Sequence, residues 1–216
     1  MKRRQTILAG LVLAFSLSAC GSTENTPAET AAPEETAAET AVPEAQTEQE
    51  NTETPAEEED KVLVIYFSAT GTTKDIAEKI AVIEDADLYE IREAQEYTAD
   101  DLNWHDNNSR TTHEQNDPSV RPELAEDPVS VEGYSVIYIG YPIWWGEEPR
   151  IMDTYVESCD FKDITMIPYC TSSSSGMGRS GKNLAENAGN GNWMEGKRFG
   201  AGTSSDEIAS WISGLK

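Results

Sequence analysis

Apolar residues after position 60 are grouped in two alternating ways. Residues 61–67 (KVLVIYF) form a nearly continuous apolar run rich in β-branched residues, which is typical of a parallel strand covered on both faces. In residues 72–83, the isoleucines Ile76, Ile80 and Ile83 recur at helical spacing and form one apolar stripe. The pattern therefore predicts a strand, a tight turn and an amphipathic helix in succession.

The same order is repeated to the end of the chain. Further strands are predicted at residues 87–91, 135–140, 164–170 and 198–201. Further helices are predicted at residues 150–158, 182–188 and 205–215. Because strands and helices alternate, we expect residues 61–216 to form one α/β domain, a doubly wound five-stranded parallel sheet with helices on both faces.

Residues 92–133, called the insert below, interrupt this order with a stretch of little periodicity that is far longer than an ordinary connection. The insert contains five side chains suited to chemistry: Trp104, His105, Arg110, His113 and Glu114. Three interpretations remain open, namely a surface loop anchored by Trp104, a lid over a ligand site, and a source of catalytic residues.

The first twenty residues have the features of an export signal. Three basic residues at positions 2–4 precede an apolar run at 7–19 that is too short to span a bilayer comfortably. The run ends in Leu-Ser-Ala-Cys at 17–20, which resembles the lipobox of bacterial lipoproteins. We expect residues 1–19 to be a lipoprotein signal peptide and Cys20 to be lipidated; the alternative is an ordinary signal peptide with an incidental cysteine.

Residues 21–60 lack the apolar side chains that a folded core requires. They contain no aromatic residue, no Leu or Ile, and Val42 as the only Val. Such a segment buries too little apolar surface to offset the entropy of ordering. We therefore expect residues 20–60 to be a disordered acidic tether that holds the following domain at the extracytoplasmic face of the cell membrane.

Charge and cysteine content exclude some classes of partner and of binding site. The chain has a formal net charge of −24, and residues 61–216 alone contain 27 acidic and 13 basic residues. Nucleic acid is therefore an unsuitable partner, because phosphate backbones are bound through Lys and Arg. Cys159 and Cys170 show no metal-ligand spacing, so we expect no metal site and two core thiols. A disulfide between them is the alternative, which an extracytoplasmic location would permit.

Three loops follow predicted strands at their carboxyl ends, where open parallel sheets bind ligands. The first loop (68–73) contains Ser68, Ala69, Thr70, Gly71, Thr72 and Thr73. Its hydroxyls, together with the N–H groups that open the next helix, can bind a phosphate without a cationic side chain. Helix capping alone is the other interpretation, although four hydroxyls in six residues exceed what a cap requires.

The other two loops are suited to a planar ring. The second loop (142–146) contains Pro142, Ile143, Trp144, Trp145 and Gly146, and its adjacent indoles suggest stacking. The third loop (171–176) includes Thr171, Ser172, Ser173, Ser174 and Gly176, whose polar groups could bind the edges of a ring. Together the three loops predict a nucleotide site with a wide planar base.

These blocks carry a family resemblance. Residues 64–80 resemble the flavodoxin signature, and the blocks GYPIWWGEEPR (140–150) and CTSSSSGMG (170–178) resemble those of a flavodoxin-like subfamily. The resemblance implies strand order 2-1-3-4-5 and noncovalently bound FMN. It also implies that the first loop holds the phosphate, the second lines the isoalloxazine, and the third meets its pyrimidine side.

The resemblance implies an electron-transfer protein with no catalytic residue of its own, whose partner is a redox protein or a small-molecule electron acceptor. An FMN-dependent NAD(P)H or quinone oxidoreductase is the main alternative, because the insert and the Trp pair depart from small electron-carrier flavodoxins. A surface binding module without flavin is a third possibility, which the intact signature disfavours.

Overall fold

The computed structural model describes residues 61–216. The predicted signal peptide (1–19) and the tether with Cys20 (20–60) lie outside the described residues. The strands are β1 (Val62–Phe67), β2 (Asp87–Ile91), β3 (Val136–Pro142), β4 (Thr165–Thr171), β5 (Asn192–Trp193) and β6 (Lys197–Phe199). The helices are α1 (Thr72–Glu84), α2 (Arg110–Asn116), α3 (Arg150–Glu157), α4 (Ser180–Ala188) and α5 (Ser205–Ser213). None of these helices is long and apolar enough to cross a bilayer.

The strands form one parallel sheet in the order β2-β1-β3-β4-β5, and β6 also pairs with β4. This order confirms the predicted doubly wound α/β fold and its 2-1-3-4-5 topology. The fifth position was predicted as one strand at 198–201, but it is filled by the two short strands β5 and β6.

Pro168 explains the break between β5 and β6. The carbonyl of Met166 accepts a hydrogen bond from the N–H of Met194, so Met166 faces this edge of the sheet. Successive residues of a parallel strand bond to alternate neighbours, so the backbone of Pro168 faces the same edge as that of Met166. Proline has no N–H to donate, and the ladder is therefore interrupted there. The ladder resumes at Tyr169, which pairs with Lys197.

Helices cover both faces of the sheet with apolar side chains. On one face, buried side chains of α1 and α5 pack against β1, β3 and β4: Ile76, Ala77, Ile80, Ile208 and Ile212. On the other face lie buried side chains of α3 and α4: Ile151, Met152, Tyr155, Val156 and Leu184. The thiols of Cys159 and Cys170 are free, and burial raises their pKa to about 11 and about 12.

The insert contains α2, a helix that the hydrophobic pattern did not predict. Its buried side chains are polar, namely Thr111, Thr112, Glu114 and Gln115, so no apolar stripe marks it. Hydrogen bonds replace the stripe: the hydroxyl of Thr111 donates to the carbonyl of Asp101 at 2.6 Å, and Ser109 caps the helix at the N–H of Thr112.

Trp104 does not anchor the insert, because 66% of its surface is exposed. The side chain that holds the segment is Arg110, which lies 4.1 Å from the ring centroid of Tyr97 and donates to the Glu114 carboxylate at 2.7 Å. Arg110 and Glu114 therefore stabilise the fold, and the two histidines, His105 and His113, are exposed.

A buried polar network connects α2 to the start of α3. The side-chain amide of Gln115 donates to the carbonyls of Trp144 and Glu148, both at 3.1 Å. The Arg150 guanidinium, itself buried, donates to Glu147 at 2.7 Å and to the carbonyl of Gln115 at 3.3 Å. The second loop, which lies between these groups, is thus held by the insert.

The same network places two buried carboxylates close together. Glu148 and Asp153 are each 1% exposed, and the Arg150 guanidinium lies 3.8 Å from the first and 3.4 Å from the second. Desolvation, together with the nearby Asp153 charge, raises the pKa of Glu148 to about 7, although an amide hydrogen bond from Asn183 and the Arg150 charge act in the opposite direction. Desolvation also raises the pKa of Asp153.

Replacing Glu148 with Gln should remove a pH dependence of stability. Between about pH 4.5 and pH 7 the folded chain keeps a proton on Glu148 that the unfolded chain has lost. The free energy of unfolding therefore falls as the pH rises through this range. The Gln variant resembles the protonated form and keeps the Asn183 contact. We expect it to exceed the parent in free energy of unfolding by about 1–3 kcal/mol at about pH 8, and by little at about pH 4.5, in urea titrations.

Glu186 provides the matched control, since its side chain is 57% exposed beside the same network. Glu186→Gln should change the free energy of unfolding by less than about 0.5 kcal/mol at either pH. A Glu148→Gln variant that is equally destabilised at both pH values would show that the buried carboxylate is stabilising as an anion.

Candidate functional site

Three loops meet at the edge of the sheet where β1, β3 and β4 end. The hydroxyls of Thr73 and Thr171 form a buried hydrogen bond of 2.8 Å, which joins the first loop to the third. The N–H of Ile143 donates to the carbonyl of Thr171 at 2.9 Å, which joins the second loop to the third. The strands extend further than predicted, so Pro142 and Thr171 are their last residues and lie opposite each other.

The first loop presents backbone donors at the start of α1. Ser68 uses its hydroxyl within the loop, accepting from the N–H groups of Gly71 at 3.1 Å and Lys74 at 3.2 Å. Gly71 adopts a left-handed conformation, φ 86°, which few other residues tolerate. Within residues 61–216, the N–H groups of Thr72 and Thr73 have no acceptor.

These free donors fit a phosphate group. The first N–H groups of a helix lack partners inside the helix, and the helix dipole adds partial positive charge there. The hydroxyl of Thr73 is buried and bonded to Thr171, whereas Thr70 is exposed. The first loop therefore offers a phosphate mainly N–H groups and the outer hydroxyls.

The second loop ends in a two-residue turn, residues 145 and 146, that exposes the side chain of Trp145. The backbones of Trp144 and Glu147 bond to each other at 2.9 and 3.0 Å, and the residues between them have positive φ angles. Gly146 accepts this geometry readily, but Trp145, with φ 50°, incurs strain of about 1–2 kcal/mol. Strained backbone of this kind is concentrated at ligand sites, and the Trp145 side chain remains 45% exposed.

Trp144 is anchored differently. Its ring packs edge-on against Phe67, with centroids 5.7 Å apart, and against Tyr97 at 5.3 Å. Tyr97 donates its hydroxyl to Glu114 at 2.7 Å, and burial together with that carboxylate raises the pKa of Tyr97 well above its usual range. One indole of the pair is therefore packed against other rings, whereas the other is largely open to solvent.

The third loop is organised around Ser172. Its hydroxyl accepts from the N–H groups of Ser174 at 3.3 Å and Ser175 at 2.9 Å, and its carbonyl accepts from Arg198 at 2.6 Å. Ser173, Ser174, Ser175 and Gly176 are exposed. A Cβ on Gly178 would lie 3.2 Å from the carbonyl oxygen of Gly146, so the chain beyond this loop contacts the second loop closely.

A cavity of about 460 Å³ opens between the three loops and the insert. This volume lies within the range of roughly 300–1,000 Å³ that small-molecule sites occupy. The cavity is lined by Thr70, Leu102, Trp104, Thr111, Ile143, Trp144, Trp145, Ser174 and Ser175. None of these nine side chains carries a charge.

The structure brings together some of the predicted site residues and separates others. Thr70, Ile143, Trp144, Trp145 and Ser174 line the cavity. Ser68 and Ala69 line a different surface pocket, which lies beside β2. The remaining predicted residues lie in the same loops without lining the cavity: Gly71, Thr72, Thr73, Pro142, Gly146, Thr171, Ser172, Ser173 and Gly176.

Sequence reasoning did not assign three lining residues to this site. Ser175, which also lines the cavity, lies inside the predicted third loop. Leu102, Trp104 and Thr111 come from the insert, where no periodicity shows which side chains turn towards the sheet. The lid interpretation of the insert fits this placement, because the insert supplies one wall of the cavity.

Comparison with known proteins agrees with this architecture. The family model described as Flavodoxin matches residues 61–215. The chain is 44% identical to a candidate flavoprotein from Bacteroides uniformis whose crystal structure is known, with a TM-score of 0.68, covering 71% of this chain and 98% of that one. A candidate flavoprotein from Bacteroides eggerthii is 41% identical, with a TM-score of 0.67, covering 72% and 97%.

A more distant structure shares the fold. It is a flavoprotein from Lactobacillus acidophilus in complex with FMN, 22% identical, with a TM-score of 0.55, covering 71% of this chain and 99% of that one. No curated protein sequence matches the chain. From the family match over nearly all of the described residues, the chain belongs to the flavodoxin family.

Proposed function

We propose that the chain binds FMN noncovalently, transfers electrons through it, and does so at the extracytoplasmic face of a membrane to which lipid on Cys20 anchors it. One observation supports FMN binding and electron transfer most directly. At one edge of the sheet, N–H groups without an acceptor at the start of α1 adjoin a cavity lined by aromatic and uncharged side chains. A flavin supplies the redox chemistry when bound, and the protein supplies binding, orientation and electrostatics.

The first loop supports a phosphate ligand. Phosphate binding by a helix N-terminus needs no cation, and Lys74, the nearest basic residue in the sequence, is exposed. The cavity next to this loop, reached through Thr70, supports an attached ring. One phosphate beside one ring is the chemistry of a mononucleotide, and the Lactobacillus structure of the same fold contains FMN.

The second loop supports a flat, largely uncharged ring. Trp144 is fixed by Phe67 and Tyr97, so it can contact a ring without rearranging, whereas Trp145 is held over the cavity by the backbone of the turn. Gln115 and Arg150 support this turn from the insert and from α3. Such preorganisation reduces the entropy lost on binding.

The membrane part of the proposal is supported by sequence alone. The basic start, the short apolar run and the lipobox-like residues at 17–20 favour export and lipidation. The acidic, Pro-containing segment that follows has the composition of a flexible spacer. The electron partner is then a redox protein or a small molecule outside the cytoplasm.

An FMN-dependent oxidoreductase is a second candidate function, favoured by one observation. Three of the nine residues that line the cavity, Leu102, Trp104 and Thr111, come from the insert. An electron carrier requires only that its flavin approach a partner, whereas an enzyme needs walls that hold a substrate against the flavin.

Replacing Thr72 with Asp should separate phosphate binding from ring binding. A carboxylate in the first turn of α1 is favourable for the helix but repels a phosphate at the same N–H groups. We expect the Kd for FMN to rise at least about tenfold, a loss of about 1.4 kcal/mol, while the Kd for riboflavin, which has no phosphate, stays within about twofold. Quenching of flavin fluorescence measures both constants.

Thr72→Asn is the matched control, because it has nearly the same shape as Asp and no charge. Its Kd for FMN should stay within about threefold of the parent value. If the Asp variant bound FMN as tightly as the parent, or lost riboflavin as strongly as FMN, the first loop would not be the phosphate site.

Replacing Cys20 with Ala should release the chain from the membrane. The thiol of Cys20 is the proposed lipid attachment point, so the variant should move from the membrane pellet to the soluble fraction after cell lysis and centrifugation. Cys159→Ala, which removes a half-buried thiol of the folded domain, should remain in the pellet. Unchanged retention of the Cys20 variant would exclude this anchor.

A further inference from the structure

We infer that Thr171 is a positioning residue, whose hydroxyl sets the separation between the phosphate subsite, the free N–H groups of Thr72 and Thr73, and the ring subsite, the cavity. The inference rests on the proposed function, because it concerns a ligand that carries a phosphate and a ring together. It is carried by the buried hydrogen bond of 2.8 Å between the hydroxyls of Thr171 and Thr73. Neither side chain lines the cavity, so both act on a ligand through the loops that they join.

The sheet holds Thr171 in place from both sides. Thr171 is the last residue of β4, and it pairs with Pro142 of β3 and with Phe199 of β6. Its carbonyl accepts the N–H of Ile143 at 2.9 Å, and Ile143 lines the cavity. The position of Thr171 relative to the ring subsite is therefore set by backbone bonds, which a change of its side chain leaves intact.

Thr73 connects this fixed point to the phosphate subsite. Its N–H belongs to that subsite, while its buried hydroxyl is bonded to Thr171. Within residues 61–216, this is the only hydrogen bond that joins the first loop to either of the other two loops. The apolar side chains with which α1 packs on the sheet begin later, at Ile76. The first turn of α1 is therefore held at the site by the hydroxyl pair.

A buried hydroxyl pair defines one separation. Both side chains are buried, so a hydroxyl that lost its partner would have no water to replace it. Fully satisfied polar groups in a protein interior restrict the structure to one arrangement. Two apolar side chains could still touch at this place, but no directional bond would fix the distance between them.

A fixed separation matters only to a ligand that spans both subsites. FMN carries its phosphate and its ring in one molecule, so binding of one group raises the effective concentration of the other at its own subsite. This gain is lost when the two subsites move relative to each other. Lumiflavin, a flavin ring without the ribityl phosphate, and inorganic phosphate each occupy one subsite, so their binding does not depend on the separation.

Titrations of the flavin-free full-length chain in detergent test the inference with Thr171→Val, which keeps the shape of the side chain and removes the hydroxyl. By flavin fluorescence, we expect the Kd for FMN to rise at least about fivefold and the Kd for lumiflavin to stay within about twofold. The Kd for inorganic phosphate, from an NMR titration, should also stay within about twofold. Thr171→Ser, which restores a hydroxyl, should bind FMN within about twofold of the parent.

Thr165→Val is the matched control, because Thr165 is the first residue of β4 and lies at the opposite end of the same strand. All three Kd values should stay within about twofold of the parent. The double variant Thr73→Val/Thr171→Val decides the question if the single variant fails to fold, because it leaves neither hydroxyl unpaired. It should weaken FMN at least about fivefold while lumiflavin binding stays within about twofold.

Four results would overturn the inference. They are FMN binding by Thr171→Val that equals the parent, a loss of lumiflavin binding as large as that of FMN, no recovery in Thr171→Ser, and weaker binding of inorganic phosphate, which would make the Thr73 hydroxyl a direct phosphate ligand. A parent chain that binds neither FMN nor lumiflavin contradicts the proposed function itself. A parent chain that binds FMN, with any of the four results in the variants, contradicts only the inference.

Discussion

Parallel pairing of β1, β3 and β4 is the constraint on which the candidate site depends. Parallel strands end at one edge of a sheet, so the loops that follow them must meet there. Pairing of β3 and β4 continues to Pro142 and Thr171, and this full register lets Thr171 bond both Ile143 and Thr73. The loops are positioned by the sheet, while α2 and the start of α3 support the second loop from outside.

The cavity of the candidate site is lined by no positive side chain, which is consistent with a domain in which acidic residues outnumber basic ones by two to one. Backbone N–H groups and a helix dipole replace Lys and Arg at the first loop. The buried charges of Glu148, Asp153 and Arg150 lie in the network beyond the second loop, where they serve to hold it. Recognition and support are therefore assigned to different sets of residues.

The sequence predicted those parts of the fold that follow from apolar periodicity. Stripes such as Ile76 and Ile80 located α1, and strand and helix alternation indicated a parallel sheet covered on both faces, whereas the strand order was implied by the family resemblance. The helix α2 escaped prediction because its buried face is polar, with Gln115 bonded to carbonyls that are distant in the sequence. The same limit applies to the site: hydroxyl-rich loops could be recognised, but only tertiary structure shows that Thr73 is bonded to Thr171 and that Trp104 reaches the cavity.

The most direct measurement is the visible absorption spectrum of the purified full-length chain after incubation with FMN and removal of unbound flavin by gel filtration. A cofactor site formed by the three loops predicts flavin absorption bands that stay with the protein at about one FMN per chain, because a preorganised mononucleotide site retains its ligand through the column. A colourless protein peak, with all the flavin eluting separately, would contradict the account and favour a flavin-free binding module.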